Sequence, residues 1–321
     1  MLVNGRWTDD WQPVQQADAQ GRFIRQTSGF RSRIGGDNGR DFPTVAGRYR
    51  LYAAYICPWA SRVLIARRLK RLESVIDVVM VDPRLSPQGW ALTGAFGTDL
   101  DPSLQAQYLH SLYSHADPEY TGRATVPVLW DTSAETIVNN ESADLLRILD
   151  EDFDALTPGT PRLHPPHLAA TMTETEQWLY RDFNNGVYQA GFASTQQAYE
   201  EAVERVFSAL DRLEQRLSRH DWLVGSQLTG TDIRAFVTLV RFELAYRDLF
   251  RCNLRPLSDY PGLYRYVDRL LSIPAFAASV RPDQIKAGYY SIKRLNPTGI
   301  VPMGPQLTST ALGGLDRPVQ A

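Results

Sequence analysis

Cysteine is scarce in this chain. Its 321 residues include only Cys57 and Cys252, far apart in sequence, which argues against a disulfide framework and favours a reducing, cytoplasmic setting. Net charge is nearly absent: 34 lysines and arginines against 36 acidic residues leave −2, so no broad basic field indicates nucleic acid or an anionic membrane. Long apolar runs are missing too, because stretches such as "AFVTLV" from Ala235 fall far short of a bilayer span. The polar N-terminus "MLVNGRWTDDW" is not typical of a signal peptide.

The length of the chain and its changes of pattern predict two domains. The first 47 residues are polar and glycine-rich with little periodicity, whereas strand and helix patterns begin at Arg48. The proline-rich stretch "LTPGTPRLHPPH", from Leu156 to His167, is typical of a hinge. The predicted organisation is an N-terminal arm (1–47), an α/β domain (48–155), a linker (156–167), an all-helical domain (168–295) and a C-terminal tail (296–321).

The α/β domain begins with a strand–helix–strand pattern. "RYRLYAAYI" alternates like a strand, "PWASRVLIARRLKRLE" has helical spacing from Pro58 to Glu73, and "VIDVVMV" is a short apolar strand. We therefore expect a parallel pair with a right-handed crossover. An insertion from Asp82 to Arg123 follows, then a strand in "ATVPVLWD" and a strand leading into a helix in "TIVNNESADLLRILDEDF". In the helical domain, "AYEEAVERVFSALDRLEQRLSRH" is amphipathic, and "TGTD" from Thr229 has the spacing of a capping box.

Cys57 stands at the predicted turn from the first strand into the first helix. The positive end of a helix and its unpaired N–H groups lower a thiol pKa from about 8.5 toward about 3.5–7.5, which makes the thiol a nucleophilic thiolate. Pro58 suits the first helical position because that position needs no N–H donor. Ala60 replaces the second cysteine of a C-x-x-C pair, so a disulfide partner has to be an external small thiol. The alternative interpretation is a buried cysteine that only packs at the end of the strand.

Two further motifs would suit a peptide-like ligand. A cis Val126–Pro127 bond would expose the backbone N–H and C=O of Val126 to that ligand, and an ordinary edge-strand proline is the alternative. Ser142, preceded by Glu141, lies at the predicted start of a helix, where N–H groups and a hydroxyl bind carboxylates. Simple helix capping would use the same groups.

Cys-Pro at a strand–helix turn, then Val-Pro, then Glu-Ser on a helix, followed by a helical domain, resembles the glutathione transferase superfamily. The resemblance implies an α/β thioredoxin-like N-terminal domain plus an all-α C-terminal domain, the glutathione transferase fold. Further stretches are similar to the xi class, the glutathionyl-hydroquinone reductases, from residue 1 to about residue 305: "WTDDWQ", "CPWA", "GRATVPVLWD", "TIVNNESAD", "NNGVYQAGFA", "TLVRFELAY" and "NPTGIVPMGP".

The resemblance implies an enzyme with glutathione as co-substrate and no metal. Cys57 would attack the glutathionyl sulfur of a glutathione–hydroquinone thioether, releasing hydroquinone and forming a mixed disulfide that a second glutathione resolves to oxidised glutathione. The implied glutathione-binding residues are Trp90, Arg123, Val126, Glu141 and Ser142. The implied substrate-binding residues are Tyr188, Tyr289 and Tyr290, for which a role as core aromatic residues with a polar tip is the alternative. Cys252 is expected to pack in the helical domain.

The chain also departs from the xi-class pattern. Ser61, Leu249 and Gly288 stand where the family has histidines, and Arg33 replaces a usual tryptophan. These differences leave the thiol chemistry in place and leave open the substrate and the small thiol. The alternatives are a thiol transferase for another substrate or thiol, a conjugating transferase, and a ligand-binding protein without catalysis. The resemblance further implies a cytoplasmic homodimer that binds a quinone or hydroquinone thioether, and neither nucleic acid nor membrane.

Overall fold

A computed structural model describes residues 1–8, 17–35, 42–95 and 106–304 of the chain. The chain forms two compact units, Met1–Pro13 with Gln26–Pro161 and Val14–Arg25 with Arg162–Ala321. The break after Pro161 falls inside the predicted linker, and the residues grouped as an N-terminal arm fall in both units. Parts of three predicted stretches lie outside the described residues: most of "WTDDWQ", the middle of the predicted insertion, and the tail beyond Gly304.

The first unit contains β1 (Leu2–Val3), β2 (Arg6–Trp7), β3 (Tyr49–Ala53), α1 (Pro58–Leu69), β4 (Ile76–Met80), α2 (His110–Ala116), β5 (Val128–Asp131), β6 (Thr136–Asn139) and α3 (Ser142–Arg147). Its main sheet has the strand order β4-β3-β5-β6. The parallel pairing of β3 with β4 confirms the predicted strand–helix–strand unit. The prediction that the first helix reaches Glu73 is wrong: α1 ends at Leu69, because the backbone turns into the left-handed region at Arg71, with φ at +53°.

Two segments that showed no regular pattern in the sequence take defined places in the first unit. Helix α2 lies within the predicted insertion, in which the sequence pattern had identified no helix. Residues 28–33 run along the edge of β6, where the Ser32 N–H donates to the Val138 carbonyl at 3.1 Å. Arg33, at the usual tryptophan position, forms an ion pair with Asp152 at 2.6 Å. The segment thus covers a sheet edge that would otherwise present unpaired backbone groups.

The second unit is helical. Its α-helices are α4 (Ala169–Trp178), α5 (Gly186–Gly191), α6 (Gln196–Leu217), α7 (Gly230–Arg241), α8 (Pro261–Leu271), α9 (Pro274–Ala277) and α10 (Pro282–Tyr290), and α7 continues as a π-helical turn over Phe242–Tyr246. The predicted capping box is confirmed, because the Asp232 carboxylate accepts from the Thr229 N–H at 2.8 Å. Among the helices that the structure describes, none is both long and apolar enough to cross a bilayer.

Candidate active site

Cys57 occupies the N-cap of α1, where β3 has ended and the helix begins. Its φ and ψ of −78° and 116° are extended, and Pro58 is the first helical residue. The Ser61 N–H donates to the Cys57 carbonyl at 3.0 Å, which closes the first turn. That turn holds no acidic residue to compete for the helix dipole. The half-buried thiol therefore lies where helix N–H groups and the dipole favour a thiolate.

The first unit brings the thiol to the predicted Val126–Pro127 motif. The Val126–Pro127 peptide bond is cis. The Cys57 Sγ donates a hydrogen bond to the Val126 carbonyl at 3.4 Å. In the described part of the chain, the Val126 N–H makes no hydrogen bond, although the residue is only 4% exposed. Because buried backbone N–H groups are nearly always paired, this N–H is available to a ligand carbonyl beside the sulfur.

Glu141 and Ser142 form the start of α3, and their polar atoms have distinct partners. The N-cap is Glu141, whose Oε1 accepts from the Ala143 N–H at 3.0 Å, while its Oε2 accepts from the Ser28 hydroxyl at 3.0 Å. Ser142 is buried, and its Oγ accepts from Arg62 Nη1 at 3.3 Å. Since the arginine already donates to this oxygen, the serine can donate its own proton to a ligand acceptor. Glu141 caps the helix, and the same turn keeps a hydroxyl that could bind a ligand.

Arg62 links the helix that carries Cys57 to the Glu141–Ser142 turn, and sequence reasoning missed it. The side chain is only 1% exposed, lies on α1, and stacks over the Trp59 ring at 4.5 Å. Its bond to Ser142 places a permanent positive charge behind the start of α3. Its place among the apolar residues of the predicted first helix could have indicated a buried arginine with a specific role.

Tyr113, on the unpredicted helix α2, joins the segment before Val126 to the segment before Glu141. Its hydroxyl donates to the Thr125 carbonyl at 2.7 Å and accepts from the Asn140 side-chain amide at 3.0 Å. Thr125 precedes Val126 and Asn140 precedes Glu141, so one hydroxyl sets the spacing of both segments. Burial raises the pKa of the Tyr113 hydroxyl, which keeps this bridge protonated.

We expect Tyr113→Phe to weaken glutathione binding. The change removes the bridge and leaves buried polar groups of Thr125 and Asn140 without their partner. The loss should lower the free energy of unfolding by about 1–3 kcal/mol. The KM for glutathione should rise several-fold with a smaller change in kcat. The matched control is Tyr49→Phe, which removes a buried hydroxyl bonded to the Pro43 carbonyl at 2.6 Å elsewhere in the unit. Equal effects of the two variants on KM would contradict the bridging role.

Trp90 and Arg123 both lie in the first unit. The Trp90 carbonyl accepts from the Leu109 N–H at 2.9 Å, which ties the loop after β4 to the start of α2. Arg123 lies three residues before Val126, and its carbonyl accepts from the Tyr120 hydroxyl at 3.2 Å. The backbone of both residues is therefore held in place, and the ligand-binding role of their side chains stays a prediction.

In the second unit, three tyrosine hydroxyls meet in a row. The Tyr289 Oη lies 2.7 Å from the Tyr188 Oη and 2.8 Å from the Tyr246 Oη. We call Tyr188, Tyr246 and Tyr289 the tyrosine row. Tyr246 was missed, although it ends the "TLVRFELAY" stretch that carried part of the resemblance. Tyr290 is buried apart from this row, and its carbonyl accepts from the Asn296 side chain at 2.7 Å.

The three tyrosines of the row differ in how deeply they are buried. Burial raises the pKa of Tyr246 and Tyr289 well above the ordinary value, so both stay protonated. Tyr188 is half-buried and packs against Phe192 and Phe250. Tyr188 is therefore the member that can meet a ligand.

The three positions where the family has histidines, and the second cysteine, are buried. Ser61 is buried in α1, Gly288 in α10, and Leu249 follows the π-helical turn. Cys252 is fully buried, and burial raises the pKa of its thiol to about 12. A thiol of that kind is an inert packing group, as the sequence predicted.

Comparison with known proteins identifies relatives along most of the chain. The model "Glutathione S-transferase, N-terminal domain" matches residues 56–152, and "Glutathione S-transferase, C-terminal domain" matches residues 196–269. Two relatives are glutathionyl-hydroquinone reductases: YqjG of Escherichia coli (strain K12) and PcpF of Sphingobium chlorophenolicum. Each is 44% identical to this chain, and each alignment covers 95% of this chain. The alignments cover 94% of YqjG and 96% of PcpF.

Two solved structures are similar throughout. The glutathione S-transferase Xi from Phanerochaete chrysosporium has a TM-score of 0.87 at 44% identity and covers 92% of this chain and 97% of its own. The glutathione-bound structure of YqjG from Escherichia coli K-12 has a TM-score of 0.84 at 42% identity and covers 95% of this chain and 96% of its own.

Proposed function

This chain is a member of the glutathione S-transferase family, among the xi-class enzymes, and on that premise we propose that it removes glutathione from glutathionyl-hydroquinones through Cys57. The matches also confirm the predicted fold, an α/β N-terminal domain with an all-helical C-terminal domain. One observation carries the proposal: the Cys57 sulfur lies at a helix N-terminus and 3.4 Å from the carbonyl of Val126, whose N–H is available to a peptide-like ligand.

The first unit offers glutathione a matching set of groups. The backbone of Val126 would pair with the cysteinyl part of glutathione, which brings its sulfur to Cys57. The α-carboxylate of the γ-glutamyl part would accept from the Ser142 hydroxyl and the helix N–H groups, and Glu141 would hold its ammonium group. Trp90 and Arg123 would contact the rest of the tripeptide.

In the first half of the proposed cycle, the Cys57 thiolate attacks the sulfur of the glutathionyl group. An S–S bond forms between Cys57 and glutathione, and the bond from sulfur to the aromatic carbon breaks. The reacting ring is the keto tautomer, in which a proton of a ring hydroxyl has moved to the carbon bonded to sulfur. The electron pair of the broken bond goes through the ring to the carbonyl oxygen, which takes up a proton, and the ring leaves as hydroquinone. The ring is thereby reduced, and the two sulfur atoms are oxidised to a disulfide.

In the second half, the thiolate of another glutathione attacks the glutathionyl sulfur of the mixed disulfide. Oxidised glutathione forms, and Cys57 leaves as a thiolate, ready for the next cycle. Ala60 stands where a resolving cysteine of a C-x-x-C motif would lie, so resolution by an external thiol is the route open to this motif. The net reaction consumes one glutathione and one glutathionyl-hydroquinone, and produces hydroquinone and oxidised glutathione.

Mass spectrometry of the intact protein tests this cycle directly. After exposure to glutathionyl-hydroquinone without free glutathione, we expect the protein to gain one glutathione, located on the peptide that contains Cys57, with one hydroquinone released. Added glutathione should remove the adduct and yield oxidised glutathione. An adduct that contains the aromatic ring, or turnover without any adduct on Cys57, would contradict the proposal.

The tyrosine row is the proposed site for the hydroquinone oxygen. When the carbon–sulfur bond of the keto tautomer breaks, its electron pair passes through the ring to the carbonyl oxygen, which becomes a phenolate. A phenol that donates a hydrogen bond to that oxygen stabilises the negative charge. Tyr188 would donate this bond, and Tyr289 would support it by donating to the Tyr188 oxygen.

We expect Tyr289→Phe to lower kcat for glutathionyl-hydroquinone about tenfold, because it interrupts the row behind Tyr188. The KM for glutathione should change little. The matched control is Tyr199→Phe, which removes a hydroxyl bonded to the Arg251 carbonyl at 2.7 Å in the same unit. Steady-state kinetics with varied glutathione separate the two parameters, and a Tyr289→Phe enzyme with unchanged kcat would contradict this role.

We also propose that the protein works in the cytoplasm as a homodimer. The second half of the cycle consumes reduced glutathione, which a reducing compartment supplies. The homodimer follows from the resemblance to the xi class. Analytical ultracentrifugation of the full chain tests the dimer, and a single species with the mass of one chain would contradict it.

A further inference from the structure

Arg25 lies on the face of the Tyr188 ring in the second unit. Its guanidinium carbon is 4.7 Å from the centre of that ring, within the range of a cation–π interaction. Its Nε donates to the Asn185 Oδ1 at 2.8 Å, and Asn185 precedes helix α5, which carries Tyr188. The guanidinium also lies 5.4 Å from the centre of the Phe23 ring. The positive charge of Arg25 is therefore fixed on the face of the Tyr188 ring.

The segment that carries Arg25 is also held in place by contacts of its other residues. Arg22 forms a two-pronged pair with Glu201, with its Nε and Nη2 3.0 and 3.2 Å from the two carboxylate oxygens. The Ser194 N–H donates to the Gly21 carbonyl at 3.1 Å. These contacts hold the segment without Arg25, so the position of Arg25 on the Tyr188 ring is not needed to keep the segment in place.

Exposure distinguishes the members of the tyrosine row. Tyr246 and Tyr289 are buried, and the Tyr289 hydroxyl lies within hydrogen-bond distance of the hydroxyls of both Tyr188 and Tyr246. Tyr188 is half-buried. When Tyr289 donates to the Tyr188 oxygen, Tyr188 can donate its own proton to an acceptor on a ligand.

Two arginines affect different members of the tyrosine row. Arg241, which donates to the Val237 carbonyl at 2.7 Å, opposes the effect of burial on Tyr246 and Tyr289. Arg25 lies on the ring of Tyr188, the only half-buried member. A cation on the ring stabilises the negative charge that enters a phenol when it donates to an anion, so Arg25 acts where the ligand binds.

We propose that Arg25 is a positioning residue that makes the Tyr188 hydroxyl a stronger and correctly aimed donor toward the anionic oxygen of a phenolic ligand. In this reaction the ligand is the departing hydroquinone, so the role in turnover rests on the proposed function. The class of ligand is an aromatic ring with a phenolate oxygen. The N-terminal segment thereby supplies a residue to the phenol site of the helical unit.

The test uses 4-nitrophenol, whose anion absorbs visible light, as the probe for the full chain. We expect the wild-type protein to bind the anion in preference to the neutral phenol, and Arg25→Gln to weaken that binding about tenfold. Arg25→Lys, which keeps the charge, should recover part of the binding. Arg22→Gln, which breaks the pair with Glu201 on the same segment, should stay within about twofold of wild type, because the Ser194–Gly21 bond still holds the segment and the Asn185 side chain still holds Arg25.

Kinetics provide the second measurement. Arg25→Gln should lower kcat for glutathionyl-hydroquinone about tenfold and shift its pH profile, yet leave reduction of a glutathione–hydroxyethyl mixed disulfide unchanged, because that substrate has no phenol. Equal binding of the anion by wild type and Arg25→Gln, no binding by wild type, or an equal loss in Arg22→Gln would overturn the inference. If wild type binds the anion through Arg25 yet does not turn over glutathionyl-hydroquinone, the inference stands and the proposed function fails.

Discussion

Cys57→Ser is expected to lower turnover of glutathionyl-hydroquinone by on the order of 10³-fold or more. A serine hydroxyl at the N-cap of α1 is not ionised at neutral pH and cannot form a disulfide with glutathione, so both halves of the cycle stop. The fold should persist, because serine is a favourable N-cap residue and Pro58 still begins the helix. The measurement is release of hydroquinone, together with the mass of the protein after exposure to the substrate.

The second cysteine provides the control for this prediction. Cys252 is fully buried and its thiol has a raised pKa, so Cys252→Ala should keep turnover within about twofold at a modest loss of stability. The Cys57→Ser protein should still bind glutathione, since Val126 and Ser142 are intact. A Cys57→Ser enzyme that releases hydroquinone at the wild-type rate would refute the cysteine mechanism.

The local parts of the site could be predicted from the sequence, because each depends on neighbouring residues. The Cys57–Pro58 step sets the start of α1 through one N-cap and one proline, and the Thr229–Asp232 spacing sets the start of α7. Both features are short-range and follow from backbone hydrogen-bonding needs. The parallel β3–β4 pair also followed from pattern, since a strand, a helix and a strand in succession allow few other arrangements.

The long-range parts could not be predicted from a single sequence. Tyr113 lies in a seven-residue helix within the insertion, and its bonds to Thr125 and Asn140 join segments that no periodicity connects. Arg25 lies in a polar stretch without a pattern, and only the folded chain places it on the Tyr188 ring. Such contacts depend on tertiary packing, which local propensity does not encode.

Asp232→Ala is expected to lower the free energy of unfolding of the helical unit by about 3–5 kcal/mol. The fully buried carboxylate accepts four hydrogen bonds, from the Leu223 N–H at 2.9 Å, the Thr229 N–H at 2.8 Å, the Thr229 hydroxyl at 3.0 Å and the Tyr266 hydroxyl at 2.7 Å. Burial raises the pKa of the Asp232 carboxyl, and these donors oppose that shift. Alanine would leave all four donors without an acceptor.

Asp221→Ala is the matched control for this change. That carboxylate has a 76% exposed side chain and pairs with Arg269 at 2.9 Å, so its removal should cost at most about 1 kcal/mol. Urea unfolding followed by circular dichroism compares the two variants. Because α7 leads directly into the turn that ends at Tyr246, the Asp232 variant should also lose hydroquinone-thioether turnover more steeply on warming than Asp221→Ala does. Equal unfolding midpoints would show that the four bonds at Asp232 do not stabilise the start of α7.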